Sequence, residues 1–297
     1  MSVFCTGPQP GEERTDQMNP ATEDQIHIGT SGWSYKDWDG SFYPQGCGQD
    51  GRLRHYAARF SCVEVDSTFY GTPKKETVRA WAARTPGHFR FALKVPGIVT
   101  HGAQGSSPIL EDVLKDKGGR LADFLETTEL LGDKLGPILF QFPYFRVREM
   151  EEADFLDRLE ATLGRLPTDR RYAVELRNKG WIGARYLALL RRYSAAAVLI
   201  DHPYMPGPRQ QLALGMVTTD FCYARLLGDR HSIVKKTGAW DRLVEDKGAR
   251  VKQWAETLHL ATTRHGAASA WAFSNNHFAG HSPETSAQLI SRLRDLS

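Results

Sequence analysis

Cysteine is scarce: four residues in 297, at Cys5, Cys47, Cys62 and Cys222, with no two at C-x-x-C spacing. That pattern argues against a zinc cage and against a secreted disulfide framework. Buried reduced thiols are expected instead, since Cys62 and Cys222 lie inside apolar runs. No uninterrupted apolar run approaches the length that crosses a bilayer, so no membrane partner is expected. Residues 1–24 contain Pro8, Pro10, Gly11, Glu12, Glu13 and Asp16 but no apolar stretch of signal-peptide type. They are expected to form a disordered N-terminal tail ahead of one domain over residues 25–297, with the cytoplasm as compartment. Neither sign of charge prevails. Lys and Arg number 38 against 35 Asp and Glu, and this net charge of +3 permits an anionic partner without demanding one. Low-complexity tracts, internal linkers and residue-level repeats are also missing. Hydrophobic residues at 41% and charged residues at 25% then exclude disorder as the dominant state.

What is present is an alternation. Short β-rich runs at 26–29, 62–66, 89–95, 138–142, 172–177, 196–201, 221–227 and 270–275 are separated by amphipathic stretches. Leu121, Phe124, Leu125, Thr128 and Leu131 repeat at helical spacing before Gly132, and Phe155, Leu159 and Leu163 form a second stripe. Thr72-Pro73 and Ser282-Pro283 each offer a helix N-cap followed by proline. Pro203, Pro206 and Pro208 weaken the helix expected after the sixth strand. Eight such units without a boundary fit a closed (β/α)8 TIM-like barrel. An open doubly wound sheet would carry G-x-G-x-x-G after its first strand. Here the turn reads Gly29-Thr30-Ser31-Gly32-Trp33, and Trp33 would crowd a pyrophosphate.

The two-residue period of a strand sorts the side chains. Val63 and Val65 oppose Cys62, Glu64 and Asp66. Phe91, Leu93 and Val95 oppose Arg90, Ala92 and Lys94. Phe140 and Phe142 oppose Leu139 and Gln141, and Val174 and Leu176 oppose Ala173, Glu175 and Arg177. Asp201 closes the sixth strand, Arg225 lies late in the seventh, and Asn275 and Asn276 end the eighth. If the apolar faces meet the helices, the polar ones point into the barrel at its carboxyl end, where barrel enzymes place their chemistry. The competing reading is a self-neutralising structural network of Glu64, Asp66, Glu175 and Asp201 with Lys94, Arg177 and Arg225. Desolvation makes buried ion pairs poor stabilisers, which weakens that explanation.

Several segments together resemble the family called domain of unknown function 72, or YecE-like. They are residues 29–35 (GTSGWSY) with Trp38 and Phe42-Tyr43-Pro44, residues 63–70 (VEVDSTFY), residues 89–96 (FRFALKVP) with Thr100-His101, and residues 136–143 (GPILFQFP). Residues 174–177 (VELR) with Trp181, Tyr223-Ala224-Arg225 and Asn275-Asn276 complete the set. The resemblance runs from about Ile26 to the C-terminus. It implies a TIM-like barrel, in agreement with the strand count, and names no activity. One position departs: Ser274-Asn275-Asn276-His277 stands where the family pattern leads us to expect Phe-Asn-Asn-Asp, so an imidazole replaces a carboxylate.

The chemistry expected is that of an enzyme acting on a small anionic substrate, phosphorylated or sugar-like. Glu64, Asp66, Lys94, Glu175 and Asp201 are the candidate catalytic residues, able to supply acid and base once burial separates their pKa values. Arg177 and Arg225 offer guanidinium forks for the anion. Trp33, Tyr35, Tyr70, His101, Gln141, Trp181, Asn275 and Asn276 complete the candidate binding set, the aromatics with lid packing as their plainer role. A divalent metal is conceivable through His101 and His277, although no His-x-x-x-His or His-Glu-x-x-His spacing occurs. One alternative is a nucleic-acid-processing barrel resembling metal-dependent endonucleases, using Arg230, Lys235 and Lys236 on the loop after the seventh strand. A non-catalytic metabolite-binding protein is another. A Schiff base at Lys94 is disfavoured at this stage, since neighbouring carboxylates would hold the amine charged.

Overall fold

The expected alternation resolves, in a computed structural model that describes residues 25–103, 108–146 and 148–296, into eight parallel strands. They are β1 (Ile26–Thr30), β2 (Cys62–Val65), β3 (Arg90–Lys94), β4 (Leu135–Gln141), β5 (Tyr172–Glu175), β6 (Ala195–Asp201), β7 (Phe221–Leu226) and β8 (Ser269–Ser274). Between and after them run α1 (Gln49–Ala57), α2 (Lys75–Ala83), α3 (Arg120–Thr128), α4 (Glu152–Leu163), α5 (Ala184–Arg192), α6 (Pro208–Ala213), α7 (Arg230–Lys236), α8 (Gly248–Arg264) and α9 (Ser282–Arg294). The strand order β1-β8-β7-β6-β5-β4-β3-β2 curls into a nearly closed (β/α)8 TIM-like barrel. The tail expected over residues 1–24 lies outside the described residues.

Local physics explains where the elements start and stop. In α4, Phe155, Leu156, Leu159 and Leu163 are buried at the spacing of one helix face. In α3, Leu121, Phe124 and Leu125 are buried likewise. The chain then continues as a 3₁₀ stretch, Glu129–Lys134, broken at Gly132 where φ is 53°. Two expected caps are displaced. Helix α2 begins at Lys75, beyond Thr72-Pro73, with no side-chain cap. Helix α9 takes His281 as its cap residue, while Ser282 donates from Oγ to Asn276 Oδ1 over 2.8 Å and ties down the turn after β8. The proline-rich connection after β6 leaves α6 only six residues long.

Closure between β1 and β2 rests on one ladder bridge, Ser31 to Glu64. Gly29 makes the approach possible, since a Cβ there would fall 2.2 Å from the Cys62 carbonyl oxygen. The Tyr56 hydroxyl of α1 completes the seam: it donates to Cys62 O over 3.1 Å and accepts from Thr30 N–H over 2.8 Å. Cys62 and Cys222 are buried free thiols as expected, whereas Cys47 is disulfide-bonded.

Register fixes the interior. Glu64 pairs with Ala92, Lys94 with Leu139, Gln141 with Glu175, and Arg225 with both Ile200 and Phe273. Leu139, Ala173, Ile200, Tyr223 and Phe273 are buried. The barrel is thus a packed core carrying a polar layer at its carboxyl end.

Candidate active site

The strand parity expected for β2, β3, β5 and β7 brings Glu64, Lys94, Glu175 and Arg225 to one level. Arg225 is the hub. Its Nη2 donates to Glu64 Oε1 over 2.7 Å, and its Nη1 donates to Glu175 Oε2. Ser31 Oγ also donates to Glu64 Oε1, and Tyr223 O–H to Glu64 Oε2, each over 2.8 Å. Arg177 Nε donates to Glu175 Oε1 over 2.9 Å. Both glutamates are fully buried, and every one of their carboxylate oxygens accepts at least one of these bonds. Burial alone would raise the Glu175 pKa, but Arg225 and Arg177 outweigh it and bring the value down to about 2. Burial likewise opposes the charge of Arg225, and Glu175 and Glu64 more than restore it.

Lys94 is placed differently. Its backbone is pinned by Thr68, whose hydroxyl donates to Lys94 O over 2.7 Å and accepts from Lys94 N–H over 3.1 Å. Its side chain is buried, with Nζ 5.1 Å from the centre of the Phe69 ring. Among the described residues no carboxylate oxygen comes within 4.0 Å of Nζ. Burial, reinforced by Arg225, lowers its pKa to about 8 against the pull of Glu64, Glu175 and Asp66. Asp66 follows β2, with its Oδ2 3.4 Å from the Tyr35 hydroxyl, which donates to Ser31 O over 2.9 Å. Burial pushes the Asp66 carboxyl up, with Glu64 adding to the shift and Lys94 and Arg225 opposing it. The carboxylates of Glu64 and Glu175 therefore face three basic side chains, Arg225, Arg177 and Lys94. The floor of the mouth carries surplus positive charge unless Asp66 is ionised.

Around this floor stand smaller polar groups. His101 is buried, bonded through Nδ1 to Thr100 Oγ1 over 3.0 Å and set edge-on to Phe69. Burial, with Lys94 and Arg177 nearby, lowers its pKa to about 4, so it is neutral at physiological pH. Gln141 ends β4 beside Glu175. Arg177 spends only Nε on Glu175 and its side chain is 33% exposed, and among the described residues its Nη1 and Nη2 have no hydrogen-bond or ion-pair partner. Tyr70 is 72% exposed on the loop after β2. Tyr144 at 62% and Tyr204 at 78% hold corresponding places after β4 and β6, and sequence reasoning missed both. Ser31, Tyr223 and His202 were missed as well. His202 is half-buried, with burial and Arg177 lowering its pKa. Tyr223 carried a readable signal, two residues before Arg225 on the same strand face.

Other expected members do not join the cluster. Asp201 turns outward, where its Oδ2 accepts from Arg250 Nε over 2.6 Å and from the Trp254 indole, both on α8. Asn276 is buried, its Oδ1 accepting from Ser282 N–H and Oγ over 2.9 and 2.8 Å. Trp33 packs edge-on against Trp81 of α2, and Trp181 stacks on Phe145 beside Phe155 of α4, so both serve the outer layer. Asn275 stays at the mouth and caps the turn after β8 by accepting from His277 N–H over 2.9 Å. His277 also bonds Asn275 through Nδ1 and lies edge-on to Trp240. Among the described residues no group of three or more His, Cys, Asp or Glu side chains is arranged to hold a metal ion, so His101 and His277 do not join the carboxylates in such a group there. In the basic segment after β7, Asp229 caps α7 and Lys236 is paired with Glu245 over 2.6 Å. No helix among the described residues is long and apolar enough to cross a membrane.

Comparison with known proteins agrees with this architecture. A family model described as "Protein of unknown function DUF72" matches residues 27–296. The UPF0759 protein YunF of Bacillus subtilis is 29% identical over 159 residues, covering 52% of this chain and 52% of that protein. The UPF0759 protein YecE of Escherichia coli K12 is 30% identical over 155 residues, covering 52% of this chain and 48% of that protein. The chain thus spans about half the length of the curated relatives it matches. A crystal structure of a DUF72 family protein from Thermotoga maritima is 26% identical with a TM-score of 0.65, covering 91% of this chain and 99% of that one.

Proposed function

Because this chain belongs to the DUF72 family, whose description assigns no activity, we propose its function from the mouth of the barrel itself: an enzyme that binds a small anionic substrate, phosphorylated or sugar-like, against Arg177 and Lys94 and moves protons with Lys94 and Asp66. The observation that carries this reading is the division of labour around Arg225. Every carboxylate oxygen of Glu64 and Glu175 already accepts a hydrogen bond, so the two residues are engaged in holding Arg225. Lys94 and Asp66 have pKa values displaced toward neutrality from opposite sides, which suits an acid–base pair working near pH 7. With Asp66 protonated, three basic side chains outnumber the two glutamates, which favours an anion, and Arg177 supplies a fork for it. The expected catalytic roles of Glu64 and Glu175 become positioning roles, and Asp201 leaves the proposal.

Calorimetric titration with inorganic phosphate, followed by a panel of phosphorylated and carboxylated compounds, tests this. One site per chain is expected. Arg177→Gln should weaken it by roughly tenfold or more, the loss of a hydrogen bond to a charged group. Wild-type protein that binds none of these anions at low salt would overturn the reading. Asp66→Asn should then keep affinity within about tenfold while abolishing turnover of whichever panel member is transformed. A ligand that binds yet is never transformed would move the protein to the metabolite-binding alternative.

A further inference from the structure

We propose that Lys94 is a carbonyl-condensing amine, and that the substrate of this mouth is a small aldehyde or ketone bearing an anionic group, held to Lys94 as a Schiff base. The inference rests on the anionic-substrate reading above and deepens it by naming the reacting group. Three observations carry it. Lys94 Nζ is buried without a carboxylate within 4.0 Å among the described residues, and lies 5.1 Å from the centre of the Phe69 ring. The two glutamates that would otherwise neutralise it cannot swing across, because Arg225, Arg177, Ser31 and Tyr223 engage all four of their oxygens. A carboxyl of different character, Asp66, adjoins the same space and interacts electrostatically with Lys94.

The sequence alone disfavours this chemistry, on the argument that neighbouring carboxylates keep the amine charged. The geometry answers that argument by spending those carboxylates on Arg225. Burial and the like charge of Arg225 then bring the pKa of Lys94 to about 8, so that about a tenth of the amine is neutral at pH 7. In the condensation, the Nζ lone pair forms a C–N bond to the carbonyl carbon while the carbonyl π pair moves to oxygen, which takes a proton. Nitrogen then releases a proton, and the hydroxyl group leaves as water after a second protonation, giving a positively charged C=N. One neutral amine, one carbonyl and one proton become one iminium and one water. Asp66, the carboxyl in electrostatic reach of Lys94 whose pKa is raised by burial, is the group assigned to deliver and recover these protons. The iminium keeps the positive charge of the ammonium it replaces, so the balance with Glu64 and Glu175 survives the reaction.

The test uses pyridoxal 5′-phosphate and, as a smaller anionic aldehyde, glyoxylate. Each is incubated with the full chain at pH 7.5 and reduced with sodium borohydride, which converts an imine to a stable secondary amine. Intact mass and peptide mapping should find one equivalent on Lys94 with at least one probe, in at least tenfold excess over any other lysine. Excess inorganic phosphate should suppress it, and Arg177→Gln should lower it about tenfold. Lys94→Arg, which keeps the charge and is checked for a native melt, should leave that peptide unlabelled. Phosphate binding is titrated on the same samples. Phosphate binding with Lys94 unlabelled by both probes overturns the amine proposal and leaves the anion site standing. Neither labelling nor binding removes both.

Discussion

Arg225 Nη2 lies 2.7 Å from Glu64 Oε1, joining residues 161 positions apart on strands β7 and β2. These strands are not neighbours; β8 and β1 lie between them. The bond therefore spans the β1–β2 seam, which a single bridge ladders among the described residues. The polar layer is both the chemical floor of the mouth and a clamp on closure.

Removing the clamp has a sign and a size. Arg225→Met would leave Glu64 buried without its ion-pair partner and Glu175 with Arg177 alone, at a cost of about 3–5 kcal/mol. Replacing all three, as Glu64→Gln, Glu175→Gln and Arg225→Met together, should recover part of that loss, since the two buried carboxylate charges go with their partner while Arg177 and Lys94 keep theirs without a carboxylate neighbour. Urea unfolding of the single and triple variants measures both. A single variant that unfolds at the wild-type midpoint would show that the hub does not clamp the fold.

Acid should weaken the protein through Glu175. Its folded pKa of about 2 lies below an unfolded value near 4.3. The stability it contributes is therefore complete above the unfolded value and is lost as pH falls toward 2. The difference corresponds to about 3 kcal/mol at most. Denaturant midpoints at steps between pH 6 and 2 should fall more steeply for wild type than for Glu175→Gln. Equal slopes would show that Glu175 titrates normally.

Lys94 works in the opposite range. Its folded pKa of about 8 lies below the unfolded value of about 10.4. Between these the unfolded chain binds more protons, so the Lys94 contribution makes stability rise with pH, by about 3 kcal/mol at most. The charged and titratable groups facing it are Glu64 on β2, Asp66 beyond it, Glu175 on β5, Arg225 on β7 and His101 after β3. Lys94→Met should be more stable than wild type at pH 7 and lose the rise. A wild-type profile that parallels the variant from pH 8 to 10 would rule this out.

The seam makes its own prediction. Tyr56→Phe removes the hydroxyl that serves Thr30 N–H and Cys62 O, leaving two buried backbone groups without that partner. The expected cost is about 1–3 kcal/mol. Hydrogen exchange should show the Thr30 amide losing protection more than amides on β5. Uniform loss across the barrel would mean that the hydroxyl stabilises the fold globally and not the seam.

Much of the site was legible because alternation fixes phase. In β2, β3 and β5, valine, phenylalanine and leucine alternate with Glu64, Lys94 and Glu175, and one register satisfies the buried face. Strand β6 offers no such contrast. Its residues Ala195 to Ile200 are apolar on both faces, as suits a parallel strand buried on both sides, so nothing in the sequence sets the phase of Asp201. Trp33 and Trp181 stand near strand ends, yet the layer each enters depends on Trp81 and on Phe145 and Phe155, which lie elsewhere in the sequence. Asn276 is spoken for by Ser282, a bond that only the fold of the last turn reveals.

The phase of β6 yields the last prediction. Because Ile200 lies beside Arg225 in the ladder, the two-residue period sends Asp201 to the helices and His202 back toward the mouth. Asp201 accepts from Arg250 and Trp254, so Asp201→Asn should cost about 1.5–3 kcal/mol of stability and leave phosphate affinity unchanged. His202 is half-buried, with Arg177 and Glu175 as its electrostatic neighbours. Burial lowers its pKa from the ordinary imidazole value, which favours meeting an anion as a hydrogen-bonding ring over meeting it as a charge. His202→Ala should stay within about 0.5 kcal/mol of wild-type stability, while phosphate affinity falls by roughly two- to tenfold as that hydrogen bond is lost. Melting curves and titrations on the two variants separate the roles. An Asp201→Asn protein of full stability and reduced affinity would return Asp201 to the site and remove His202 from it.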